Sequence, residues 1–410
     1  MEAIILAGGL GTRLRSEVQD IPKPMAPIQS KPFLEHLVDR IVDAGVNRII
    51  FSVGYKSDYI KDHFSSAYKN CEIVYAVEEE QLGTGGAIKN ALQFAHSKDV
   101  LVLNGDSMFY GDIKALFSFH KKSGADVTFA LKPMENIKRY GTVELNSDRK
   151  ILQFYEKQPK DSGLINVGMY VFNVESFMKC ELPNKFSIEH DFFEPKVNEL
   201  TFMGFPSSGY FLDIGIPEDF KKAQLEIGIF PEIDKNWTLF LDRDGVINKK
   251  RENDYVKNLR ELEILPGVPA AVANLSSIFG KVVIVTNQQG IGKELMTEQD
   301  LHRIHEVILN QIENEGGTVD AVYFAPQLKS ENSAMRKPDI GMALKAKKDF
   351  PEIDFSKSII VGDSPTDMEF GRRTNMIPIM VTEEPKNMNE FYTIQGLTHF
   401  QEILGSILHP

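Results

Sequence analysis

The sequence predicts an α/β protein of two successive domains, and three observations predict it. At 410 residues the chain exceeds the ~100–200 residues of a common domain, and either half is long enough to bury its own core. Short apolar, β-rich runs alternate with amphipathic stretches of helical length from end to end, the pattern of βαβ units around a mostly parallel sheet. That rhythm lapses at Gly228-Ile-Phe-Pro-Glu-Ile-Asp-Lys-Asn236, and a fresh apolar strand follows. The expected division is a first domain over 1–232 and a second over 236–410, with a short linker.

In the first domain, the run Ala3–Leu6 reads as a buried opening strand. Further strands are expected at Arg48–Val53, Glu72–Val77 and Val100–Leu103, with periodic helical stretches such as Phe33–Ala44 and Gly86–Ala95 between them. The second domain opens on Trp237-Thr-Leu-Phe-Leu241. Strands at Lys281–Val285, Ala321–Phe324 and Ser358–Val361 again alternate with helices. The N-terminus carries Glu2 and lacks a basic leader, so no targeting segment and a cytoplasmic protein are expected. Nothing approaches 18 consecutive apolar residues, the length a membrane span needs.

Hydrophobic residues make up 42% and charged residues 25%, the balance of a globular chain. Lys+Arg 46 against Asp+Glu 58 leaves a net charge of −12, which disfavours nucleic acid or an anionic membrane as the main partner. The two cysteines, Cys71 and Cys180, cannot build a Cys-rich zinc site and read as reduced thiols.

Directly after the first strand comes Leu6-Ala7-Gly8-Gly9-Leu10-Gly11-Thr12-Arg13-Leu14, then Pro22-Lys23-Pro24. Glycines let backbone N–H groups approach a phosphate chain closely. Arg13 adds a planar fork of donors and Lys23 a compact charge fixed between prolines, so the set suits a triphosphate. These residues resemble the sugar-1-phosphate nucleotidylyltransferases, whose pattern Gly-Gly-x-Gly-Thr-Arg-Leu with Pro-Lys-Pro is complete here. The similarity continues through Leu82-Gly-Thr-Gly-Gly-Ala87, Asn104-Gly-Asp106-Ser, Tyr140-Gly141, Tyr155-Glu156-Lys157, Ile165-Asn166-Val-Gly168 and Leu212-Asp213-Ile-Gly-Ile-Pro217. It implies a Rossmann-like nucleotide-diphospho-sugar transferase fold. It also implies Mg²⁺ on Asp106 and Asp213, and nucleotide contacts from Leu6, Ala7, Gly8, Gly9, Gly11, Thr12, Gln81 and Gly86. Gln81 and Gly86 would meet the base; Gly141, Glu156, Lys157, Asn166 and Gly168 would meet the sugar phosphate. Arg13 and Lys23 would draw charge off the phosphates as pyrophosphate leaves. Against this, an acid at a strand end is also a common turn or helix cap, and Glu156-Lys157 also fits a solvated surface pair.

In the second half, Asp242-Arg-Asp244-Gly-Val-Ile sits at a strand terminus, where two acids spaced i, i+2 can share a crevice as nucleophile and proton carrier. Thr286-Asn287, Arg336-Lys337-Pro338 and Gly362-Asp363-Ser-Pro-Thr-Asp367 follow in order, each read as lying behind its strand. The ordered set resembles the haloacid dehalogenase (HAD) superfamily of phosphatases. That resemblance implies a HAD-like Rossmannoid domain with an aspartyl-phosphate formed on Asp242 and Asp244 as acid and base. Thr286, Asn287 and Lys337 would hold phosphate, and Mg²⁺ would sit on Asp242, Asp363 and the main-chain carbonyl of Asp244. Asp367, taken as one helical turn beyond Asp363, either orients the site or is a simple helix acid. Only about 42 residues separate the first element from Thr286, too few for a large cap, so an open, capless site is expected.

Within these families, Asp-Arg-Asp-Gly-Val-Ile-Asn248 and Thr286-Asn-Gln-Gln-Gly resemble the branch of heptose bisphosphate and histidinol-phosphate phosphatases. Ala325 and Met335 stand where that branch often carries zinc cysteines, so no zinc is expected and packing must hold the loop. The first half resembles the heptose 1-phosphate guanylyltransferase group. Together the resemblances imply consecutive steps. Heptose 1,7-bisphosphate would lose its 7-phosphate, and heptose 1-phosphate would then react with GTP or another nucleoside triphosphate, releasing pyrophosphate. A hexose-1-phosphate enzyme fused to a different sugar phosphatase, and an inert nucleotide-sugar sensor, remain as alternatives. The base, the anomer, a homo-oligomeric state and passage of product between domains are left open.

Overall fold

The computed structural model describes residues 1–9, 14, 18, 20–155, 159–382 and 391–408. The chain divides into two compact units, the break falling between Ile229 and Phe230.

In the first unit ten strands share one sheet. Glu2–Leu6 lies inside it, parallel to Arg48–Val53 on one side and Asp99–Asn104 on the other. A strand covered on both faces favours an unbroken apolar run over alternation, and Ala3, Ile4 and Ile5 are fully buried. Cys71–Val77 extends the parallel set, and Lys160–Asn173 runs antiparallel to Asp99–Asn104. Leu6 stands in register with both Ser52 and Asn104, so the glycine loop and the turn carrying Asp106 leave the sheet at one edge. At the opposite end Glu2 is buried and paired with Arg48 at 2.6 Å, which explains an acid at the start of a core strand.

The helix Phe33–Asp43 buries Phe33, Leu34, Leu37, Val38 and Ile41, the stripe that its periodicity predicts. The next expected helix is displaced: it runs Gly83–Leu92 rather than 86–95. Its glycine-rich start is a poor helix former, but burial of Ala87, Ile88, Ala91 and Leu92 outweighs propensity. Cys71 and Cys180 are both free, and burial pushes the Cys71 thiol up to about 11.

The second unit holds a six-stranded parallel sheet, in the order Ala321–Ala325, Lys281–Asn287, Thr238–Leu241, Ser358–Gly362, Ile377–Val381, Tyr392–Ile394. Succession along the chain reverses direction across the sheet at Thr238–Leu241, so a crevice opens beyond the C-terminal ends of that strand and its neighbours. Asp242, Thr286 and Asp363 are placed there by that topology alone. Between the first acid and Thr286 lies an irregular segment with the helix Val268–Ile278; after Thr286 come helices Gln289–Gly292 and Glu298–Asn314. Among the described residues no inserted cap fold interrupts either connection. No helix of the described residues is long and apolar enough to cross a membrane.

Candidate active sites

In the first unit, Lys23 sits on a short 3₁₀ turn, Lys23–Met25, pinned by Pro22 and Pro24. Its ammonium lies 2.6 Å from Asp106 Oδ2 and 3.4 Å from Asp213 Oδ1. The acids come from distant segments joined by one antiparallel pairing, Phe211–Asp213 on Ser107–Phe109, with Asp213 opposite Ser107. Burial, and then the neighbouring Asp106 charge, raise Asp213 above the usual carboxylate range against the pull of Lys23. Two convergent oxygen donors that bracket a cation suit a hard divalent ion such as Mg²⁺.

Lys23 and Asp106 line a cleft of about 560 Å³ together with Leu6, Gly8, Gly9, Gln81, Glu78, Asn104 and Lys185. Ala7 is buried, and its amide donates to Ser52 O at 2.8 Å. Gly86 is buried, and a Cβ there would collide with Asn184 O, so only a glycine fits against the 184–186 segment. Gly83 and Thr84 of the same run line the cleft. A run such as Leu-Gly-Thr-Gly-Gly does not reveal which glycine is exposed until its packing partner is known.

Gly141 and Asn166 line a neighbouring pocket of about 500 Å³ with Tyr155, Glu189 and His190. Glu189 is tied to the cleft, because Thr84 Oγ1 donates to its Oε2 at 3.0 Å. Gly168 lines neither space but adopts φ +74°, and a Cβ on it would collide with the Asn104 side chain. It therefore seats Asn104 at the cleft, while its own amide donates to Asn166 Oδ1 at 3.0 Å. Gly11, Thr12 and Arg13, and likewise Glu156 and Lys157, lie outside the described residues.

The second unit gathers its predicted acids at the crevice. Asp242 is buried, and its Oδ1 accepts from the Arg243 amide at 2.8 Å and faces Lys337 Nζ at 2.9 Å. Burial pushes the Asp242 carboxyl up to about 7, with Lys337 opposing and Asp367 and Asp244 adding to the rise. Lys337 is fully enclosed, donating to Val285 O at 2.7 Å and pairing with Asp367 at 2.5 Å. It does not follow directly behind a strand as expected: eleven residues of loop separate Ala325 from Lys337, and Asn287 brings them back. Asn287 Nδ2 donates to Lys337 O at 3.1 Å, and Lys337 N donates to Asn287 Oδ1 at 3.0 Å. With both its amide groups engaged, the Asn287 side chain positions Lys337.

Asp244 accepts from Arg243 Nη2 on both oxygens at 2.8 Å, from Asn248 at 2.9 Å and from Gln288 at 2.9 Å. Burial alone would raise it, but the Arg243 charge and these donors hold it below the usual carboxylate range. Gln288 also donates to Thr286 Oγ1 at 2.8 Å, so one amide links the Asp244 carboxylate to the Thr286 hydroxyl. Arg243 and Gln288 were missed from sequence; a charged residue between two acids carries no sign that it is wholly buried.

Carboxylate oxygens of Asp242, Asp363 and Asp367 lie within 4.8 Å of one another. Asp367 is not one helical turn beyond an Asp363 on the same helix. The helix begins at Pro365, and Asp367 closes a capping box with Ser364 while its other oxygen pairs with Lys337. Asp242 and Asp363 remain as oxygen donors that fit a divalent cation, and the Asp244 side chain stands outside the cluster. Gly245, at φ +86°, gives Asp363 its space, since a Cβ there would collide with Asp363 Oδ2. Ala325 is fully buried and Met335 packs against the same core, so apolar contact occupies the two positions where zinc cysteines were considered.

Residues 2–228 match the nucleotidyl transferase family model, and residues 233–389 match the polynucleotide kinase 3 phosphatase model. D-glycero-alpha-D-manno-heptose 1-phosphate guanylyltransferase of Aneurinibacillus thermoaerophilus is 46% identical over 228 residues, 55% of this chain and 98% of that protein. The crystal structure of HddC from Yersinia pseudotuberculosis complexed with GMP-PN aligns at TM-score 0.50 and 39% identity, covering 54% of this chain and 97% of its own. D,D-heptose 1.7-bisphosphate phosphatase from B. bronchiseptica, complexed with magnesium and phosphate, aligns at TM-score 0.37 and 28% identity over 41% of this chain and 97% of its own.

Proposed function

From the premise that the chain belongs to the nucleotidyl transferase family, we propose that it is a bifunctional enzyme making a nucleoside diphosphate heptose. The first unit joins heptose 1-phosphate to the nucleotidyl group of GTP; the second supplies that substrate by removing the 7-phosphate of heptose 1,7-bisphosphate. The observation that carries the reading is the presence of two complete sets of phosphate chemistry in separate units. Lys23 is set between Asp106 and Asp213 in one, and Lys337 between Asp242 and Asp367 in the other. The heptose comes from the relative at 46% identity. A net charge of −12 favours a small phosphosugar over a polynucleotide as the phosphatase substrate.

At the first site a sugar-phosphate oxygen attacks the α-phosphorus and pyrophosphate leaves, so the task is alignment and charge neutralisation. Lys23, and Arg13 of the glycine-rich sequence run, would neutralise the phosphates; the cleft around Gly8, Gly9, Gln81 and Thr84 would take the nucleotide. Asp106 and Asp213 would hold Mg²⁺, which supplies further charge neutralisation when bound.

At the second site Asp242 attacks the phosphomonoester phosphorus, forming an aspartyl-phosphate as the alkoxide leaves. Lys337 holds the nucleophile and, with Thr286, the phosphoryl oxygens. Asp244 gives its proton to the alkoxide and then takes one from the water that cleaves the intermediate. In the free enzyme the donors around Asp244 keep its proton affinity low; the arriving phosphate dianion raises it, so Asp244 takes up from solvent the proton it gives to the alkoxide and regains one from the attacking water. Asp242 and Asp363 would hold Mg²⁺.

The test is turnover of heptose 1,7-bisphosphate with each of the four nucleoside triphosphates, scored by phosphate and pyrophosphate release. Phosphate release without any nucleotide, followed by pyrophosphate release greatest with GTP, is the expected result. Far faster turnover of hexose 1-phosphates would overturn the sugar assignment.

A further inference from the structure

Lys250 belongs to none of the motifs above, yet its ammonium lies 2.7 Å from Asp363 Oδ2. Its side chain is 45% exposed, whereas that of Asp363 is 15% exposed. The cluster of Asp242, Asp363 and Asp367 thus meets two ammonium groups, Lys337 and Lys250. Lys337 is buried and anchored to Val285 O, Asp242 and Asp367. Lys250 approaches from the solvent side on a flexible stem.

A divalent cation on Asp242 and Asp363 would meet the Lys250 charge at close range, and like charges repel strongly in a half-buried site. Lys337 has no room to yield; Lys250 has. A phosphomonoester simultaneously brings a dianion to the same mouth, where an ammonium leaving Asp363 finds a stronger partner. We propose that Lys250 is a phosphate-binding residue of this site, resting on Asp363 when no divalent cation is bound and turning to a phosphoryl oxygen when cation and substrate enter. The proposal rests on the reading of the second unit as a phosphatase.

The test uses the full-length chain carrying Lys250→Gln. Mn²⁺ binding without substrate is titrated in an Asp106→Ala background, which removes the first unit's carboxylate pair. It is expected to tighten about tenfold, because the competing ammonium is gone. The inhibition constant of inorganic phosphate and the KM for the bisphosphate, measured at saturating cation, are expected to rise about tenfold, the loss of one charge-assisted hydrogen bond. Lys250→Arg, which keeps a cation on the same segment, is expected to recover the phosphate constant. Unchanged Mn²⁺ and phosphate constants in Lys250→Gln would overturn the proposal while leaving the phosphatase reading standing. A wild-type chain that hydrolyses no phosphomonoester would remove that reading and the proposal with it.

Discussion

Lys337→Met tests whether the phosphatase crevice is held together by the charge that serves its chemistry. The wild-type ammonium is fully buried and stands 2.9 Å from Asp242 and 2.5 Å from Asp367. Methionine fills similar volume but leaves two carboxylates facing each other out of water, and breaking a buried pair this way costs about 3–5 kcal/mol. Asp242 is already pushed up to about 7, so at neutral pH it can take a proton and relieve part of that cost; the lower end, about 3 kcal/mol, is expected there. A carboxyl whose folded pKa lies above its unfolded value binds its proton more tightly when folded, so its contribution is lost as pH rises from about 4 through about 7. The deficit of Lys337→Met should therefore be smaller at pH 5 than at pH 8. Trp237, the only tryptophan and buried at the start of the central strand of the second unit, reports urea unfolding of that unit by fluorescence. Adding Asp367→Asn removes one of the stranded charges and should return about 1–3 kcal/mol, a coupling typical of neighbours in one network. A loss below about 1 kcal/mol in Lys337→Met, or a double variant no more stable than the single, would refute the reasoning.

Independence of the two sites is checked by Asp242→Asn, expected to cut phosphate release by ~10⁴-fold or more while pyrophosphate release persists; Asp106→Ala should do the reverse. Loss of both activities in either variant would contradict separate sites. Gly168→Ala forces a Cβ into Asn104 at φ +74°; it should destabilise the first unit by about 1–2 kcal/mol and slow pyrophosphate release without touching phosphate release. His305 is neutral in the fold because burial, with the Arg243 and His302 charges, pushes it down to about 3, below its unfolded value. Its buried state therefore costs stability below about pH 6.5, and His305→Gln should recover about 2 kcal/mol more at pH 5 than at pH 8 in the Trp237 unfolding signal. A difference independent of pH would show that His305 is not held neutral.

The strands were legible because parallel strands covered on both faces are almost wholly apolar, as Ala3–Leu6 and Leu239–Leu241 are. Acids following such strands were legible for the same reason: where the run stops, the chain is at a sheet edge. Asp242, Thr286 and Asp363 could be placed by that rule without any pairing information. What escaped depends on contacts remote in sequence. Nothing beside Asp213 says that it lies opposite Ser107, and only the family pattern linked it to Asp106. Which glycine of Leu82–Ala87 lines the cleft is decided by Asn184 and Phe186, about a hundred residues away. Nothing beside Asn287 says that its side chain bonds to the Lys337 backbone fifty residues on. Nothing in Lys249-Lys250-Arg251 marks its middle member as the one that reaches Asp363.

Both units place an ammonium on the carboxylates proposed to hold a cation, but they differ in how firmly it is held, and the difference suits the two reactions. Asp106 and Asp213 are 38% and 31% exposed at the side chain, so water screens their hold on Lys23, and the lysine can exchange carboxylates for phosphates as large anionic substrates settle. Nucleotidyl transfer joins two bound reactants without a covalent enzyme intermediate, and an adaptable charge costs it little. Lys337 is enclosed with its partners and anchored through Asn287, so Asp242, the proposed nucleophile, is held in one place. Covalent catalysis needs that immobility, because a nucleophile free to move would give up the effective concentration that makes its attack fast.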